Sequence, residues 1–186
     1  ARDVLHGEPA VFAVLLTAFS VGIGAGSLLC ERLSGRRIHL GLVPLGALGL
    51  SVFGIDLYVS ATARLPWAGV GSDLLSHAEG LRIAADCALL GMAGGIFVVP
   101  LFALIQTRSE RSHLSRTIGG MNILNALFMI ASSLLAGAML GAGFTIPEVM
   151  GCTGVANAAV TLGVFTAEPA YGHRFRAWFK GIFHVI

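Results

Sequence analysis

The stretch that decides the fold runs from residue 117 to residue 143 and reads TIGGMNILNALFMIASSLLAGAMLGAG. It has no charged side chain. As an α-helix rising about 1.5 Å per residue, it would exceed the ~30 Å hydrocarbon core of a bilayer. Four other stretches also lack charge: residues 10–30, 40–55, 87–105 and 149–167. The sequence therefore predicts an all-α membrane protein with five transmembrane helices.

We expect these helices at about residues 10–30, 38–60, 83–106, 117–143 and 147–167. Composition agrees, because 55% of the residues are apolar and only 12% are charged, against a soluble norm of about 25%. The net charge of +2 is too small to suggest a nucleic-acid partner. The three cysteines, Cys30, Cys87 and Cys152, form no CxxC or Cys/His cluster, so no metal, cofactor or disulfide is expected.

Basic residues are distributed unevenly between the two ends of the helices. Nine of the 12 Lys and Arg residues would share one side if the helices alternate: Arg32, Arg36, Arg37, Arg108, Arg111, Arg116, Arg174, Arg176 and Lys180. Because basic loops stay cytoplasmic, the amino end should face outward and the carboxyl end should face the cytoplasm. The long outer loop at 61–82 is expected to hold a short interfacial helix, with His77, Glu79 and Arg82 along its polar side.

Glycine makes up 25 of the 186 residues, and many glycines have helix-packing spacing. The third and fourth helices each contain a GxxxG pair, Gly91–Gly95 and Gly137–Gly141. Small residues four apart let backbones approach closely in lipid. Further glycines are expected to pack in the first two helices: Gly22, Gly24, Gly26, Gly41, Gly46 and Gly49. Prolines inside helices bend the helix axis, so kinks are predicted at Pro44 and Pro100.

Two aspartates lie inside the predicted helices, near their outer ends. A carboxylate there costs less free energy than one at the bilayer centre. For Asp56 and Asp86 we therefore favour an interfacial role, or pairing with Arg82, over an ion site. The segment shows no paired carboxylates, nucleophile–base set or phosphate-binding loop, so no catalysis is expected within it.

Three asparagines are the other polar residues of interest in the predicted helices. Asn122 and Asn125 share a face of helix four, and Asn157 shares a face of helix five with Thr153 and Thr161. Such faces can form hydrogen bonds between helices or line a polar cavity, and both interpretations stay open. On the second interpretation, the substrate cavity would be lined by Asn122, Asn125, Asn157 and Asp86.

The first cytoplasmic loop has the most distinctive motif, GSLLCERLSGRR at residues 26–37. It resembles the loop motif of the major facilitator superfamily, in which acidic and basic residues link neighbouring helix ends and favour the outward-open state. The resemblance implies a gate latch formed by Gly26, Glu31, Arg32, Gly35, Arg36 and Arg37. Glu31 replaces the usual Asp, and one extra residue precedes both it and Gly35. These departures fit the degenerate second copy of the motif, between the eighth and ninth helices.

Three further stretches, 41–49, 99–109 and 122–129, look like the bacterial lysophospholipid transporter branch of that superfamily. This resemblance implies that the five helices are equivalent to helices 8–12 of such a transporter. It also implies transport of a lysophosphatidylethanolamine-like lipid across the inner membrane by alternating access. The expected partners are this lysophospholipid, membrane lipids and a missing amino-terminal half, with a sixth helix preceding Ala1.

The tail at 168–186 has aromatic and basic residues at amphipathic-helix spacing, so we expect an interfacial helix or a linker to a missing downstream domain. Some relatives of the branch are fused to an acyltransferase. One alternative is therefore that the helices anchor a bifunctional acyltransferase acting in phospholipid re-acylation. Another is a permease for a different amphipathic solute.

Overall fold

The computed structural model describes residues 9–34, 40–62 and 75–167. They form five helices: α1 (Pro9–Ser34), α2 (Leu42–Thr62), α3 (Ala78–Arg108), α4 (Leu114–Gly141) and α5 (Ile146–Ala167). Since these residues contain no strand, the predicted all-α fold is confirmed for the described part of the chain. By length and composition, α1, α2, α3 and α4 can each cross a membrane.

The third helix begins earlier than its hydropathy predicted, at Ala78 rather than residue 83. Glu79 and Arg82 therefore belong to α3, and the expectation that they form a separate interfacial helix was wrong. The first turn is polar, but Glu79 lies where a carboxylate stabilises a helix amino terminus. With 31 residues, α3 is about 46 Å long and extends beyond the hydrocarbon core. Residues 63–74 of the predicted loop lie outside the described residues.

Helices α1 and α3 pack along a glycine seam with two members from each helix: Gly22, Gly26, Gly91 and Gly95. A Cβ atom at any of these positions would collide with the backbone of the facing helix. Gly22, for example, faces the carbonyl of Ala88, and Gly91 faces the carbonyl of Phe19. The predicted close approach is therefore present for the pair in α3, because only hydrogen side chains leave room for two backbones in contact.

Helix α2 lies between α3 and α5, so the packed order is α1, α3, α2, α5. Gly46 meets the backbone of Phe97 on α3, and Gly154 meets Ile55 from α5. Other glycines have open space around them within the described residues: Gly24, Gly137 and Gly141. The GxxxG pair of α4 thus makes no close helix contact in this part of the chain.

The two prolines have different positions in their helices. Pro44 is the third residue of α2, where helix N–H groups have no intrahelical partner, so the predicted kink there was wrong. Pro100 lies in the interior of α3, and the helix continues past it to Arg108.

Among the described residues, the buried apolar side chains form two small clusters, one of Val11, Leu57 and Ile83, the other of Cys30, Leu42 and Ile96. Many large apolar side chains elsewhere are exposed, and α4 has no buried residue. Phe128 on α4, for example, is 71% exposed. A surface this apolar suits lipid rather than water. Together with the long apolar helices, it indicates a multi-pass membrane protein.

The turn between α4 and α5 is fixed by hydrogen bonds at both of its ends. Gly143 has a φ of 97°, and Phe144 N–H donates to the Met139 carbonyl (3.1 Å), as in a Schellman motif. At the start of α5, the Thr145 N–H and hydroxyl donate to the Glu148 carboxylate at 2.7 and 2.8 Å. Glu148 is the third residue of α5, and its bond with the N–H of Thr145, the residue just before the helix, is one half of a capping box.

Candidate functional site

The most polar contact between described helices lies near the carboxyl end of α2 and the amino end of α3. Arg82 Nη2 donates to Asp56 Oδ1 at 2.6 Å. Both side chains remain partly open, with exposed fractions of 55% for Arg82 and 37% for Asp56. The pairing with Arg82 that the sequence favoured for the aspartates is therefore present at Asp56.

Asp86 lies one helical turn beyond Arg82 on α3 and is buried, with 5% of its surface exposed. Ser60 on α2 donates a hydrogen bond to Asp86 Oδ2 at 3.3 Å. The contacts Arg82–Asp56 and Ser60–Asp86 bring both carboxyls to the same part of the α2–α3 interface. Two residues from each helix thus form one cluster, which we call the carboxyl cluster: Asp56, Ser60, Arg82 and Asp86.

This carboxyl pair was not expected from the sequence. The two aspartates are 30 positions apart in the chain, so no local motif joins them. A periodic signal was nevertheless present, because Asp56 precedes Ser60 by four residues and Arg82 precedes Asp86 by four. Residues four apart share a helix face, so each helix presents a two-residue polar face. Only the packing of α2 against α3 brings the faces together.

Asn157 joins α5 to α2. Its Nδ2 donates to the Ala47 carbonyl at 3.0 Å and to Ser51 Oγ at 2.8 Å. Both bonds of the Asn157 amide are therefore made to α2. For Asn157, the sequence had left open hydrogen bonding between helices and the lining of a polar cavity, and the structure shows hydrogen bonding between helices. A groove lies beside this contact between α2, α3 and α5, and it is lined mainly by apolar side chains with Asn157 and Thr161 as polar members.

Asn122 and Asn125 are exposed on α4 and lie apart from the carboxyl cluster and from Asn157 in the packing. Neither has a hydrogen bond to another side chain or to the backbone within the part of the chain described. Their neighbours along the helix are apolar and equally exposed, including Ile123 and Leu124. The four residues predicted to line a cavity are therefore not brought together by the described helices.

The predicted gate motif is only partly within the described residues. Gly26 is buried in the glycine seam, against the Met92 backbone on α3. Glu31 and Arg32 lie on the last turn of α1 with exposed side chains. Neither has an ion-pair partner among the residues described. Gly35, Arg36 and Arg37 lie outside those residues.

Metal ligands do not cluster in the described ranges, where no group of three or more His, Cys, Asp or Glu side chains could hold an ion. Cys30, Cys87 and Cys152 are all free thiols. The predicted interfacial tail at 168–186 is also outside the described residues.

Comparison with known proteins leaves the family open. No protein-family profile matches this chain, and no curated protein or solved structure matches it.

Proposed function

We propose that this chain is the carboxyl-terminal part of a major facilitator transporter that moves a lysophosphatidylethanolamine-like lipid across a bacterial inner membrane. Its helices would be equivalent to helices 8–12 of that transporter. The observation that carries the proposal is the motif at residues 26–37 together with the position of its first members.

The arrangement of the motif supports a latch. Gly26 is held in the seam between α1 and α3, so the end of α1 has a defined position relative to α3. Glu31 and Arg32 follow on the last turn with exposed side chains. Charged groups at a helix end form strong charge-assisted bonds when another helix end approaches, and these bonds break when the helices separate. Such a contact biases a two-state equilibrium.

The polar groups of α4 support a role in binding a headgroup. Asn122 and Asn125 have carboxamides that no described residue engages, although Ile123 and Leu124 between them are apolar and exposed. A carboxamide in lipid without a hydrogen-bond partner is costly, so it favours contact with a polar group of a substrate or of another transporter helix. Asn157 fits this role less well, because its amide donates to α2.

Uptake of labelled lysophosphatidylethanolamine by proteoliposomes containing the full-length protein tests the proposal. We expect uptake by the unmodified protein and slower turnover with the double change Arg36→Ala, Arg37→Ala. No uptake by a folded, unmodified protein would reject the transport function. Normal turnover by the double variant would reject the latch but leave transport standing. Equal competition by unrelated amphiphiles would favour a permease of broader specificity.

A further inference from the structure

The carboxyl cluster has more negative than positive charge when both of its aspartates are ionised. Arg82 is the one cation in contact with them among the described residues. The apolar cluster of Val11, Leu57 and Ile83 lies beside this region of α3, and Val14 and Leu15 of α1 and Met150 of α5 pack against that cluster. Among the described residues, the other titratable group beside Asp86 is the thiol of Cys87. Two carboxylates and one guanidinium would therefore leave one uncompensated negative charge.

The hydrogen bonds of the carboxyl cluster indicate that a bound proton balances this negative charge. Ionised carboxylates only accept hydrogen bonds, so two of them cannot bond to each other. The contacts of Asp56 with Arg82 and of Asp86 with Ser60 nevertheless hold both carboxyls at the same part of the α2–α3 interface. Arg82 donates to Asp56, and Ser60 is the one described residue that donates to Asp86. A proton on one carboxyl supplies the missing donor and removes the excess charge.

Burial decides which aspartate carries the proton. Asp56 has a partly exposed side chain and a guanidinium at 2.6 Å, so its charge is both solvated and paired. Asp86 is 5% exposed and accepts one hydrogen bond from a neutral hydroxyl. Removing an unpaired carboxylate from water costs several kcal/mol, so the neutral acid is the favoured form at the buried position.

We propose that Asp86 is a proton-binding site within the helix bundle, with its acid O–H donating to the Asp56 carboxylate and Arg82 balancing the charge of Asp56. Binding forms the O–H bond of Asp86 from a proton taken from water on the side where α3 begins. Release breaks that bond and returns the proton to water, leaving a carboxylate. Arg82 lies one turn away on the same helix, so it can pair with Asp86 once Asp56 is withdrawn. This site goes beyond lysophospholipid transport and does not depend on that substrate.

Infrared spectroscopy of the full-length protein in lipid nanodiscs tests the site, because a protonated carboxyl has its own carbonyl stretching band. At neutral pH we expect a band that is present in the unmodified protein and lost in Asp86→Asn. The band should also be lost in Asp56→Asn, in which Arg82 is free to pair with an ionised Asp86. The control Glu148→Gln removes an exposed carboxylate at the start of α5 and should leave the band unchanged.

The possible results separate the proposal from its competitors. Identical spectra for Asp86→Asn and the unmodified protein would overturn it, since Asp86 would then be ionised. Loss of the band on adding sodium chloride at constant pH would support proton binding and would show that a monovalent cation competes for the same carboxyl. If Asp86→Asn does not fold, two other measurements test the proposal. The band of the unmodified protein must disappear on alkaline titration, and the band must be missing from Asp56→Asn. A band that persists in Asp56→Asn would contradict the proposal.

Discussion

Arg82 Nη2 lies 2.6 Å from Asp56 Oδ1, and this ion pair joins α3 to α2 near the ends that the intervening loop connects. Both side chains are partly exposed, so the pair should contribute only modestly to stability, about 0.2–1 kcal/mol. A double-mutant cycle of Asp56→Asn and Arg82→Gln, measured by thermal unfolding in detergent, should give a coupling energy in this range. Glu110→Gln, an exposed change between α3 and α4, serves as the control and should show no coupling to Arg82→Gln. Additive effects of Asp56→Asn and Arg82→Gln would show that the pair does not form in the folded protein.

The glycine seam predicts that a side chain at Gly22 is far more damaging than one at Gly24. Gly22 faces the Ala88 backbone, whereas Gly24, on the same helix, has open space around it. Gly22→Val should lower the free energy of unfolding by about 1–3 kcal/mol or more, as overpacking does. Gly24→Val should change it by less than about 1 kcal/mol. Equal losses for the two variants, measured by thermal unfolding in detergent, would contradict the packing of α1 on α3.

Asn157 and Asn122 should respond differently to truncation. Asn157→Ala removes two hydrogen bonds to α2 and should destabilise the protein by about 0.6–2 kcal/mol. Asn122→Ala removes a carboxamide with no described partner, so stability should hardly change. If Asn122 binds substrate, its variant should lose lysophospholipid uptake while keeping its unfolding midpoint. A lowered midpoint in Asn122→Ala, with normal uptake, would instead assign this residue to helix packing.

The turn between α4 and α5 should depend on the absence of a side chain at Gly143. Its φ of 97° is unfavourable for residues with a Cβ atom, so Gly143→Ala should destabilise the protein by about 1 kcal/mol. Gly141 ends α4 and has open space around it. Gly141→Ala should therefore be neutral or slightly stabilising. Thermal unfolding of the two alanine variants compares them directly, and a neutral Gly143→Ala would show that the turn adopts another conformation.

The two ends of α4 should lie on opposite sides of the membrane. Its 28 residues span about 42 Å, which is more than the hydrocarbon core. In a variant without native cysteines, Ser112→Cys should react with an impermeant maleimide only after the cells are permeabilised. Ala142→Cys should react in intact cells, because the basic loops are expected inside. Labelling of both sites from outside would refute a transmembrane α4. The reverse pattern would refute only the predicted orientation.

Hydropathy alone predicted the helices because an uncharged stretch of bilayer length has few other stable conformations. It failed at the start of α3, where Glu79 and Arg82 continue the helix beyond the apolar residues. It also could not distinguish the GxxxG pair at Gly91 from the one at Gly137. Both have the same spacing, but only the first meets another described helix.

Candidate site residues were harder to predict, because their partners come from distant parts of the chain. Ser60 and Asp86 are 26 positions apart, and the register of α2 against α3 decides that they meet. Asn157 reaches Ser51 across 106 positions for the same reason. The sequence showed which residues were polar within apolar helices, whereas their roles depend on which faces the packing brings together.

The backbone contact between α1 and α3 at the glycine seam also restricts how the bundle can move. For α1 to slip lengthwise past α3, the Ala88 carbonyl would have to leave Gly22 and pass under a neighbouring residue that carries a Cβ atom. That displacement is blocked sterically, so α1 and α3 should move together as one rigid body. The rocking that the proposed transport requires must then pivot elsewhere in the chain.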